Sequence, residues 1–143
     1  MNRINDVVAV WLLRIGLGIS FFLHGYGKLP INDGFIGWLA SKGVPAAETM
    51  AYLVAWGEML AGIGIVVGGL LAKIASEAGH LITRLSGVAV LFIMICAMII
   101  AHSDWPIFFA EIGEDGKKGP VLFASEQLFL ILVGTYFALK GNK

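Results

Sequence analysis

Four long apolar runs dominate the alternation of hydrophobic and polar positions: 7–29, 46–71, 80–101 and 121–139. At 1.5 Å rise per residue each can cross a hydrocarbon core, which needs about 20 helical residues. No alternating pattern points to a barrel, and no repeat of 20 to 50 residues occurs. The pattern predicts an all-α integral membrane four-helix bundle, a single domain over residues 1–143. Between the first two runs lies PINDGFIGWLASKGVP, which predicts a short helix in the interface. Asp33 serves as its N-cap, Gly43 as the residue past its end, and Pro45 restarts the chain. Phe35, Ile36, Trp38 and Leu39 then share one side of that helix.

The first run is the unusual one. Arg14, His24 and Lys28 lie within LLRIGLGISFFLHGYGKL, among glycines and large apolar residues. Ionisable groups in a membrane-length segment are costly, face other helices and mark functional candidates by default. The second run carries Gly57, Ala61, Gly64 and Gly68 at helical spacing, with Gly62 and Gly69 beside them. Small residues let membrane helices approach closely. Its GIGIVVGG stretch follows no strand, so it is not read as a dinucleotide loop. After the third run, SDWPIFF predicts an aromatic interfacial element and EIGEDGKKGP a solvated turn.

Composition places the chain in the bilayer, with 58% hydrophobic and 14% charged residues and a mean hydropathy of +0.85. Zero net charge and the lack of a basic run argue against nucleic acid as a partner. The single cysteine, Cys96, leaves no internal disulfide or CxxC redox pair. The start reads poorly as a signal peptide, because Arg14 breaks its apolar core and no small-x-small site follows. Lys and Arg counts place both termini on the cytoplasmic side: Arg3, Lys73, Arg84, Lys140 and Lys143 inside, against Lys28, Lys42, Lys117 and Lys118 outside.

Depth measured from the centre of each run sorts the polar residues into two groups. Arg14 falls roughly 6 Å and Arg84 roughly 10 Å to the inner side, with Glu58 near the midplane. These three form an expected inner cluster, Arg14–Glu58–Arg84, which either registers the helices or holds an anion. Glu126 and His24 fall roughly 6 and 9 Å to the outer side, with Lys28 and His102 nearer the interface. A histidine beside a carboxylate exchanges a proton near neutral pH, so His24 and Glu126 are the expected catalytic pair, beside an apolar quinone-sized pocket. The competing reading is a satisfied interhelical hydrogen bond. Arg14, Lys28, Glu58, Arg84 and His102 are the expected ligand-binding residues. No metal site is expected; a haem between His24 and His102 has no other support in the sequence.

The chain resembles the DoxX family of small bacterial membrane proteins. The likeness rests on LLRIGLGISFFLHGYGKL, WGEMLAGIGIVVGGLLAK, Arg84 near the start of the third run and SEQLFLILVGTYFAL. Arg14, His24, Gly25, Lys28, Glu58 and Arg84 are the matching positions, whereas Glu126 rests more on the depth argument. The resemblance implies a multi-pass protein of the bacterial inner membrane linked to redox metabolism. It implies a membrane quinone as cofactor or substrate and a soluble redox partner that supplies electrons. A non-catalytic anchor or assembly factor for a redox enzyme, and a small-solute or proton carrier, are the other readings; a homo-oligomer fits any of them.

Overall fold

A computed structural model describes residues 3–103, 105–108 and 119–142, without the side chain of Arg3. Asp104 and most of the EIGEDGKKGP turn, including Lys117 and Lys118, lie outside the described residues, as does Lys143. Five α-helices follow in order: α1 (Arg3–Tyr26), α2 (Asp33–Ser41), α3 (Ala47–Leu71), α4 (Ser76–Ala101) and α5 (Glu126–Lys140). Helices α1, α3 and α4 are long and apolar enough to cross a membrane.

The bundle is a row in chain order: α1 packs on α3, α3 on α4 and α4 on α5, while α1 and α5 touch only sparsely. Close approach rather than bulk sets this row. A Cβ at Gly18 would strike the Gly62 carbonyl and Val66, and one at Gly62 would strike the backbone of Gly18 and Phe22. Gly57, Gly64 and Gly68 face α4 instead, against Ile93, Ser86 and Thr83. The α3 glycines therefore form two rows, one for each neighbour, as contact between membrane helices favours. Leu17, Phe21, Ile65, Val90, Met94, Leu130 and Phe137 fill the core. Large apolar side chains such as Leu12, Leu60, Phe92, Ile99 and Leu132 are exposed on the outside, as a lipid-facing surface requires.

Helix α2 forms where the short helix was expected, with one change of cap. Asn32, not Asp33, caps it, accepting from Phe35 N at 2.9 Å. Gly43 has φ +76, and the Gly43 and Val44 amides bond back to Ala40 and Leu39. This left-handed ending is one that glycine adopts without strain. Leu39 is buried, Phe35 and Ile36 are half-buried, and Trp38 is exposed.

The fourth run departs from expectation. Val121 is extended, Leu122–Ala124 form a 3₁₀ turn, and α5 covers only 15 residues, about 22 Å of helix. Ser125 stops the helix from starting earlier: its hydroxyl accepts from Leu128 N, which makes it the N-cap. The bundle thus has three full-length helices and a shorter α5 packed along α4.

Candidate functional site

The two ends of the bundle carry separate polar clusters. At the end that bears α2, Gly25 brings α1 against α3: a Cβ there would meet the Ala55 carbonyl and Met59. One residue earlier, His24 turns toward α5. Its Nε2 donates to Glu126 Oε1 at 3.2 Å, and Ser20 Oγ donates to the same oxygen at 2.9 Å. Ser20 and His24 are one turn apart on α1, so both reach the carboxylate. Glu126 opens α5, where a helix N-terminus favours negative charge. The side chains of His24 and Glu126 are 30% and 59% exposed, so the pair lies on an open seam and not in an enclosed pocket.

Behind this pair, Lys28 Nζ lies 2.5 Å from Glu58 Oε2 and donates to the His24 carbonyl at 3.0 Å. Glu58 is buried with its side chain 3% exposed, and Lys28 supplies its countercharge. The sequence-based cluster Arg14–Glu58–Arg84 is therefore not formed. Centring each apolar run put Glu58 level with Gly18. The glycine contacts instead place Gly62 at that level, so Glu58 sits four residues farther toward α2. Arg14 sits four residues the other way, which separates the two by about 12 Å of helix.

His102 is at the α2 end as expected, but it meets α5. The Gln127 amide donates to His102 Nε2 at 3.2 Å, and Trp105 lies over the ring at 3.9 Å. Its buried Nδ1 has no hydrogen-bond partner among the described residues. Gln127 was missed in the sequence because an uncharged amide at a helix start carries no depth penalty that draws notice.

At the opposite end, Arg14 is buried at 2% exposure. Its guanidinium donates to the Ile65 carbonyl, to Thr83 Oγ1 at 3.1 Å and to Asn142 Oδ1 at 2.6 Å. Phe137 and Trp11 rings lie 4.6 and 5.6 Å from its Cζ. Asn142 also donates to the Gly68 carbonyl and takes its place through a backbone bond to His80 Nδ1. Thr83 was also missed, although a hydroxyl in an apolar run is a signal that could have found it; Asn142, in a short polar tail, gave none. Arg84 is exposed and donates from Nε to the Ala138 carbonyl at 2.9 Å, which ties α4 to α5. A cavity of about 360 Å³ lies at this end, beside Arg14.

Comparison with known proteins places this geometry in context. The DoxX family model matches residues 9–103, which include Arg14, His24, Lys28, Glu58, Arg84 and His102 but not Glu126. A Bacillus subtilis (strain 168) protein named "Putative oxidoreductase CatD" is similar to the chain, 33% identical over 144 residues. That match covers 100% of this chain and 86% of the relative. No solved structure gives a significant match. The helical membrane architecture and the family match agree: this chain belongs to the DoxX family.

Proposed function

We propose that the protein is a redox-linked subunit of the bacterial inner membrane that works on a membrane quinone, with electrons drawn from a soluble partner enzyme. Both termini face the cytoplasm in this reading. The observation that carries it is the His24–Glu126 contact on the open α1–α5 seam. The oxidoreductase name of the similar B. subtilis protein points the same way.

The seam suits such a ligand. A flat ring diffusing in the bilayer reaches it sideways, and Leu23 and Phe129, near the pair in sequence, present exposed apolar surface. A quinone takes up two electrons and two protons on full reduction. The chain's part is to orient a ring oxygen and supply protons. In this reading His24 Nε2 shares a proton with Glu126 Oε1, and Ser20 donates to that same oxygen and holds the carboxylate in place. Lys28 and Glu58 neutralise one another behind the pair, which leaves the His24–Glu126 proton as the mobile one.

The test is quinone binding and, with any co-purified partner, turnover in reconstituted protein. His24→Phe and Glu126→Gln should each weaken binding or turnover, and the double variant should be little worse than either. The bundle should stay folded, since the pair is partly exposed. Unchanged binding and turnover in both folded variants would sink the proposal. The contact would then be an interhelical bond in a membrane anchor.

A further inference from the structure

A buried arginine ordinarily has a carboxylate beside it, because an uncompensated charge away from water is expensive. Arg14 has none within ion-pair distance among the described residues. Carbonyl and hydroxyl dipoles take three of its five N–H donors, and aromatic faces cover part of the ion. These groups solvate the guanidinium but leave its charge intact.

The cavity beside it continues the same sign. Arg14, Lys73 and Lys140 line it against one carboxylate, Asp6, so the lining charges sum to about +2 at neutral pH. Lys73 and Lys140 are exposed and free to swing inward, and Lys73 Nζ lies 6.0 Å from the Trp11 ring that Arg14 also approaches. Val7, Val10 and Tyr136 complete a wall that is partly apolar. Gly69 allows the arginine in, because a Cβ there would strike the guanidinium.

We infer that this cavity binds a phosphate-type oxyanion, with Arg14 as the fixed anchor and Lys73 and Lys140 closing over it. A planar guanidinium fork matches two oxygens of such an anion, and two mobile ammonium groups neutralise the remainder. The anion arrives either free or as the headgroup of an anionic phospholipid whose chains lie along Val7 and Val10. This site is separate from the His24–Glu126 seam and stands without it.

Trp11 supplies the readout, in a variant with Trp38, Trp56 and Trp105 replaced by Phe; thermal unfolding of the unmodified protein is the second measure. The probes are inorganic phosphate in detergent, and phosphatidylglycerol against phosphatidylcholine in mixed micelles at constant ionic strength. A saturable change with phosphate or phosphatidylglycerol, and none with phosphatidylcholine, is expected. Phosphate alone identifies a free anion, and phosphatidylglycerol binding well above phosphate identifies a lipid headgroup. The K73Q/K140Q double variant should bind about tenfold more weakly, while Lys42→Gln on α2 should change nothing. No saturable response to either anion overturns the proposal. So does undiminished binding by the K73Q/K140Q variant.

Discussion

Lys28, two residues past the end of α1, reaches back to Glu58 in the middle of α3, with 2.5 Å between Nζ and Oε2. The side chain runs toward the N-terminal end of its own helix, the direction in which helical side chains lean. The buried carboxylate is thereby neutralised from the membrane edge, by a long side chain that keeps part of its surface exposed.

Removing either partner should therefore destabilise the bundle unequally. Lys28→Gln strands a carboxylate that is 3% exposed, whereas Glu58→Gln leaves a lysine that can swing to the interface. Losses for breaking buried pairs run about 3–5 kcal/mol, and Glu58→Gln should fall at or below the low end. Thermal unfolding in detergent of the two single variants and K28Q/E58Q gives the cycle, and the double variant should recover part of the loss. Arg14→Gln combined with Glu58→Gln should instead be additive within about 0.5 kcal/mol, because the two sites share no partner. Coupling between Arg14 and Glu58 larger than that between Lys28 and Glu58 would contradict the register of α1 on α3.

Glycine substitutions should sort by contact. Gly25→Val and Gly62→Val push a side chain into the facing backbone, and each should cost more than about 3 kcal/mol or prevent assembly, as strong overpacking does. A Cβ at Gly16 would meet nothing within 4 Å. Gly16→Ala should be neutral or stabilising by up to about 1 kcal/mol, the helix-propensity gain. Equal losses at Gly16 and Gly25 in a thermal shift assay would refute the glycine-set register.

Helix α2 should lie along the interface. Trp38, 39% exposed and stacked near Phe35, should be quenched by an agent held at the headgroup level and little by one at the bilayer centre. A single-tryptophan variant retaining Trp38 measures this. Deeper quenching at the bilayer centre would place the helix inside the membrane instead.

The helical membrane class, three of the spanning helices and the short helix α2 were all legible in apolar run lengths and cap chemistry. Those signals are local: about 20 apolar residues have one stable way to satisfy their backbone in lipid. The nearness of His24 to Glu126 was also legible, since two polar residues at similar depth on antiparallel helices have few other partners. The fourth span was overestimated, because hydropathy runs through Val121–Ser125 while the serine hydroxyl cap decides where the helix begins. The partner of Glu58 was not legible. Depth counted from run centres carries an error of several residues, and only the contact of Gly18 with Gly62 fixed how far α3 slides along α1. That slide of four residues moved Glu58 from Arg14 to Lys28 and left Arg14 to the Thr83 hydroxyl and to Asn142 of the tail. Close packing between two helices is a property of both surfaces together, so neither run by itself could specify it.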